Sequence, residues 1–293
     1  MQRNRELYMN IQWYPGHMTK AKRMMEENIK LVDVVIELVD ARVPISSQNP
    51  DVLKLANNKP RIIVLNKVDL ADGKETKKWA DFFFNQGYVV VEVNSQNGKG
   101  IKSVSSAINL ACKEKIERNK KRGLLNRPMR AMVVGIPNVG KSTFINKLVG
   151  KASAKTGNKP GVTKGKQWLK LKNEFELLDT PGVLWPKFED QNVGIKLAMI
   201  GSIREEILDT EGLAMLALEF MRDRYPNLLM DKYPMTDVAG KKGHELLEAV
   251  TITRHLLKPG NEPDVSRMAK MFLDEFRNGK IGKMTLETVS EYK

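Results

Sequence analysis

The stretch Gly135-Ile-Pro-Asn-Val-Gly-Lys-Ser142 has the residue types and spacing of a loop that wraps a polyphosphate. Its glycines let backbone N–H groups curl around phosphate oxygens, Asn138, Val139 and Gly140 among them. Lys141 can neutralise the β- and γ-phosphates, and the Ser142 hydroxyl can ligate Mg²⁺. Thr143 opens a following helix whose amino end favours anions. A glycine-rich turn entering a helix is the plainer alternative, and it rarely matches the full pattern by chance.

Asn66-Lys67-Val68-Asp69 can select the base. The Asp69 carboxylate can accept from both N1–H and the exocyclic amino group of guanine, whereas adenine presents an acceptor at N1. Against the wrong base the carboxylate is left unpaired, which is a strong basis for discrimination. Asn66 can contact N7, the Lys67 stem can pack on the ring, and Asn94-Ser95 can bring backbone N–H groups to O6. In Asp179-Thr-Pro-Gly182, Asp179 can hold Mg²⁺ through water and the Gly182 N–H can report the γ-phosphate. Thr163, after Pro160-Gly-Val162, lies where a mobile threonine would complete the Mg²⁺ shell. Taken singly, Asn-Lys-x-Asp and Asp-Thr-Pro-Gly read equally well as polar turns. Together, five parts of one site follow apolar strands or occupy the loops between elements.

Short β-branched runs at 34–39, 61–65, 88–93 and 129–134 each end in polar residues or glycine, as buried parallel strands do. Amphipathic stretches at 74–86 and 101–117 alternate with them, and two runs flanking Asn173 suggest a hairpin. This predicts an α/β layered domain with chemistry at the carboxyl ends of its strands. Beyond residue 190 only helical periods remain, near 193–201, 211–224, 243–257 and 264–277. The expected division is an N-terminal segment over 1–22, the nucleotide domain over 23–190 and a small helical domain over 191–293.

The 293 residues carry a net charge of +14, divided unevenly. Residues 205–293 are net −3 and residues 1–204 net +17, with basic patches at 20–23, 113–130 and 151–172. Such a surplus suits polyanions, nucleic acid above all. A single cysteine, Cys112, excludes an internal disulfide and fits a reduced, cytoplasmic protein. No apolar run is long enough to span a bilayer, no lipidation motif occurs, and the polar start is unlike a signal peptide; Met9 is a possible alternative start. His244 and His255 have no second ligand at useful spacing and read as structural or surface residues.

The motifs stand in an unusual order: guanine motif, Asn-Ser, P-loop, Thr163, Asp-Thr-Pro-Gly. With Gln12-Trp-Tyr-Pro-Gly-His-Met18, Asp40-Ala-Arg-Val-Pro44 and Asp179-Thr-Pro-Gly-Val-Leu-Trp-Pro-Lys187, the chain resembles the circularly permuted GTPases of the YlqF group from about Ile11 onward. The join of the old termini would be residues 101–130, and the new opening falls after Asp-Thr-Pro-Gly.

The resemblance implies a GTPase that binds the large ribosomal subunit, its rRNA and ribosomal proteins, with no role on DNA or membranes. The position that often holds a water-orienting Gln is Val183, so the resemblance points to His17 as the catalytic residue. Related GTPases with Asn at position 138 imply a K⁺ beside the phosphates, held in part by the Asn138 side chain. Slow intrinsic turnover and activation by RNA on the basic loop around Thr163 follow as expectations, as does movement of the helical domain through residues 183–204. A GTP-gated adaptor that hydrolyses GTP incidentally is the alternative.

Overall fold

A computed structural model describes residues 16–56, 59–124, 127–150, 167–171, 175–185 and 188–292. Thr163, and most of the basic loop before it, lie outside the described residues, as do the side chain of His17 and residues 1–15.

Helix α1 (Gly16–Asn28) leads into β1 (Val34–Asp40), whose seven residues are all buried, as suits a central parallel strand. Helix α2 (Pro50–Leu55) starts on Asn49, whose side chain accepts the Asp51 N–H, and carries Pro at its first position. Strand β2 (Arg61–Asn66) and helix α3 (Gly73–Asn85) follow, α3 being capped by Asp72. Strand β3 (Val89–Val93) precedes α4 (Ser103–Ala111) and α5 (Lys113–Lys121). The single helix expected over 101–117 is thus two, meeting at Cys112. Just past the break, Lys115 pairs with buried Asp33 at 2.5 Å, at the foot of β1. Strand β4 (Met129–Gly135), helix α6 (Lys141–Val149) and the antiparallel pair β5 (Gln167–Leu171) and β6 (Phe175–Asp179) complete the sheet.

The strand order is β3-β2-β1-β4-β6-β5, parallel throughout except for the β5–β6 pair. Consequently β1, β2, β3, β4 and β6 all end on the same edge, and each of their final residues or following loops carries one of the polar motifs. The result is the mostly parallel α/β domain with a helical C-terminal region that the motif order implied.

The helical unit, residues 188–284, contains α7 (Gln191–Met199), α8 (Thr210–Arg224), α9 (Pro226–Lys232), α10 (Gly243–Thr253) and α11 (Val265–Arg277). Helix α8 is its centre, packing against the other four. Pro226 begins α9, because a proline at the first helical position removes an N–H that has no intrahelical partner. Residues 285–292 do not fall in this unit; they group with the sheet domain.

Candidate functional site

The loop after β4 narrows onto α6 through two residues in the left-handed region, Asn138 (φ 58°) and Gly140 (φ 94°). A Cβ on Gly140 would lie 2.6 Å from Asn66 Nδ2, so only glycine fits there. Asn66 is the last residue of β2, yet its side chain serves three loops. Its Nδ2 donates to the Val139 carbonyl at 2.8 Å, while its Oδ1 accepts from the Ser95 hydroxyl at 2.7 Å and the Ser95 N–H at 3.2 Å. The guanine motif, the Asn94-Ser95 turn and the P-loop are therefore joined through one buried amide.

Asn94 and Ser95 play a different part from the one expected of their N–H groups. The Asn94 N–H donates to the Lys99 carbonyl at 3.0 Å and that of Ser95 to Asn66, so neither points outward. Asn94 Oδ1 folds the turn by accepting the N–H groups of Gln96 and Asn97 at 2.9 and 3.1 Å.

Lys67 has φ 61°, which swings its side chain back towards β1. Its Nζ lies 3.0 Å from Asp40 Oδ2, and Asp40 also receives both Nε and a terminal nitrogen of Arg42 at 3.0 and 2.9 Å. Burial pulls the Lys67 ammonium below its ordinary pKa, with Asp40 acting against that. Burial acts to raise the pKa of Asp40, but the charges of Arg42 and Lys67 and their hydrogen bonds outweigh it and hold the carboxyl well below the usual range. Asp69 is half-buried and makes no hydrogen bond with its carboxylate among the described residues. Its acceptors thus remain available for a base edge.

At the phosphate end, buried Lys141 and buried Asp179 face each other, Nζ to Oδ1, at 2.5 Å. Burial lowers the pKa of Lys141 and the neighbouring carboxylate counteracts it. Thr180 anchors the next turn through its hydroxyl on the Val133 carbonyl at 2.8 Å. A Cβ on Gly182 would come within 3.0 Å of Pro137 backbone atoms, so the Asp-Thr-Pro-Gly loop lies directly on the P-loop. Val183 is 2% exposed, and its N–H donates to the Gly135 carbonyl at 3.2 Å.

Ser142 and Thr143 occupy the first turn of α6, and His17 belongs to α1 by its backbone. Among the described residues no cluster of three His, Cys, Asp or Glu side chains could hold a metal by itself. A Mg²⁺ here would need phosphate oxygens beside the Ser142 hydroxyl and Asp179, which is the usual way that ion is held. The hard oxygen donors on the P-loop and Asp179 fit it.

Three residues with positions in this architecture carry no recognisable motif by themselves. Asn49 donates to the Val183 carbonyl at 3.0 Å and so pins the loop after β6 to the start of α2. Glu37, buried in β1, accepts the Asn49 N–H at 3.1 Å and pairs with Arg61; burial raises its pKa against the pull of Arg61. Glu287 grips the loop after β1. A polar residue inside an apolar strand was the one available hint, and only for Glu37.

A family model described as a 50S ribosome-binding GTPase matches residues 130–224. That match starts inside β4 and leaves the guanine motif, which precedes it in this chain, outside. Over 97% of its length the chain is 48% identical to a ribosome biogenesis GTPase A of Bacillus cereus, of which it covers 96%. It is 35% identical over 94% of its length to the protein of that name from Thermotoga maritima, again covering 94% of it. Among solved structures it is similar to GDP-bound YlqF, with a TM-score of 0.65 and 30% identity over 92% of this chain and 100% of that one. The GNP-bound YlqF from T. maritima gives 0.63 and 31%, covering 92% and 98%.

Proposed function

The chain belongs to the ribosome biogenesis GTPase A family and is a GTP hydrolase of ribosome biogenesis; we propose that it acts late in assembly of the large (50S) subunit, binding rRNA and ribosomal proteins in its GTP form. Hydrolysis to GDP and phosphate, stimulated by the particle, then releases it. The reading rests on one relationship above all, the Asn66–Val139 hydrogen bond of 2.8 Å that unites a guanine-selecting loop with a triphosphate-wrapping one. The net +17 on residues 1–204 supports contact with RNA phosphates. No helix among the described residues is long and apolar enough to cross a membrane, and we place the protein in the cytoplasm with the particles it serves.

In this reading Asp69 accepts from guanine N1–H and the amino group, Asn66 reaches N7 with its second amide hydrogen, and Lys67, oriented by Asp40, lays its stem along the ring. Val68 shapes the same loop, Ser95 braces Asn66, and Asn94 folds the turn that carries Ser95. Asn138, Val139, Gly140, Lys141 and Thr143 line the phosphates, and the Gly182 N–H senses the terminal one. Ser142, Thr163 and Asp179 would hold Mg²⁺, which supplies charge neutralisation on the β- and γ-phosphates. Asn138 would contribute an oxygen to K⁺.

With Val183 buried and bonded to Gly135, the residue after Gly182 has no side chain to orient water. We assign that task to His17 of α1, whose neutral imidazole can accept a hydrogen bond from the attacking water near pH 7. His17→Ala is expected to lower turnover by about 10²-fold or more while sparing GTP affinity. Replacing KCl by NaCl is expected to slow hydrolysis.

The deciding experiment is steady-state GTP turnover with and without purified 50S subunits, at two salt concentrations. Stimulation that fades with salt is expected. Turnover indifferent to the particle would overturn the proposal in favour of a GTP-gated adaptor.

A further inference from the structure

We propose that residues 285–292, the end of the chain, form a clamp that holds the guanine-selecting loop in register, with Glu287 as its positioning residue. The proposal rests on the guanine role given above to Asn66-Lys-Val-Asp69.

The Glu287 side chain is fully buried. Its carboxylate accepts the Ile45 N–H at 2.8 Å, the Ser46 N–H at 3.2 and 3.3 Å, the Ser46 hydroxyl, and the Tyr292 hydroxyl at 3.0 Å. Ile45 and Ser46 belong to the loop that leaves β1 just after Asp40 and Arg42. The tail's backbone grips the same loop: the Leu286 N–H donates to the Arg42 carbonyl at 2.7 Å. Trp79 of α3 locks the tail in place by donating from Nε1 to the Glu287 carbonyl at 3.1 Å.

Two routes lead from this tail to the loop that presents Asp69. On one side, Arg42 orients Asp40, and Asp40 holds the Lys67 ammonium at 3.0 Å. On the other, the Asp72 N–H donates to the Thr285 hydroxyl at 3.1 Å. Asp69 thus lies between two fixed points, Lys67 and Asp72. Underneath, Val68 packs against the cluster that contains Val289, Trp79 and Phe83, with Tyr292 at its margin.

Burying a carboxylate is costly unless its lone pairs are met, and an apolar side chain would fill the same volume more cheaply. What the carboxylate adds is geometry, since two consecutive N–H groups and two hydroxyls converge on it and hold the loop in one arrangement. Base discrimination needs such precision, because Asp69 must face two donors at once.

The test uses the full chain carrying Glu287→Ala or Thr285→Val, titrated with GDP and with inosine diphosphate. Inosine lacks the exocyclic amino group, so the ratio of the two affinities reports how squarely Asp69 meets the base edge. In both variants GDP affinity is expected to fall, by about tenfold for Glu287→Ala, while inosine diphosphate is affected less and the preference shrinks. Equal losses for both nucleotides, as general loosening gives, would overturn the clamp, as would unchanged affinities. Should Glu287→Ala fail to fold, Thr285→Val decides alone, since it removes an acceptor and keeps the side-chain shape. Asp69→Asn run in parallel separates the two readings. If it leaves the preference intact, the guanine assignment itself is wrong; if it abolishes the preference while the tail variants keep it, only the clamp is wrong.

Discussion

Asn66 Nδ2 lies 2.8 Å from the Val139 carbonyl oxygen, so the end of β2 and the loop after β4 share one hydrogen bond. The Asn66-Lys-Val-Asp69 loop and the P-loop are mechanically joined there. Asn66→Ala removes that bond and both contacts to Ser95, and GTP affinity is expected to drop by about 10²-fold, read with a fluorescent nucleotide. Gly140→Ala should match it, because the new methyl group would stand 2.6 Å from Nδ2 at a φ of 94°. Near-normal affinity in both variants would mean that the two loops hold their places independently.

Restoring glutamine after Asp-Thr-Pro-Gly is expected to bring no gain. Val183 is 2% exposed and directed into the protein, so Val183→Gln would bury an amide instead of offering it to water. The expected result is unchanged or slower single-turnover hydrolysis and a stability loss of about 1–3 kcal/mol. Faster hydrolysis would show that this position reaches the attacking water after all.

Acid should loosen the Asp40 cluster only at pH values below the ordinary carboxylate range. Asp40 is held well below the ordinary carboxylate range by Arg42 and Lys67, against the effect of burial. Its contribution to stability is therefore complete above the unfolded value, about 3.9, and is lost as pH falls from there towards the depressed folded value. Asp40→Asn leaves Arg42 and Lys67 without their buried counter-charge. It is expected to cost about 3–5 kcal/mol near neutrality and to flatten the acid limb of a stability-against-pH curve. A variant with the same acid limb as the parent protein would remove Asp40 from this role.

Cys112 gives a probe of opening. It is 1% exposed, and burial, with Asp33 nearby, pushes its thiol up to about 11. At pH 8 the folded protein should react with iodoacetamide far more slowly than the unfolded chain, because its thiol is both buried and held protonated. Saturating nucleotide should slow the reaction further by stabilising the folded state. Rapid alkylation of the folded protein would contradict the buried position.

Strands and motifs were legible because their signals are local. A run such as Val34-Val-Ile-Glu-Leu-Val-Asp40 states its own burial, and a parallel strand states where its loop chemistry must lie. Helix limits were less clear, as at Cys112, where the stretch divides into two helices with no proline or glycine to signal it. For α9 the cause is local, since Pro226 at the first helical position starts the helix.

Residue order alone determined that this chain carries a guanine-nucleotide site in permuted order, since short-range spacing dictates which backbone and side-chain groups each loop can present. Only the folded arrangement decided which groups are engaged with one another: the Ser95 N–H with Asn66, Lys141 with Asp179, Lys67 with Asp40, and Glu287 with a loop some 240 positions earlier. Hydrogen bonds and ion pairs between residues far apart in the chain have no period or motif. They exist because sheet closure and side-chain burial bring their partners within 3 Å or so, and that distance is set in three dimensions.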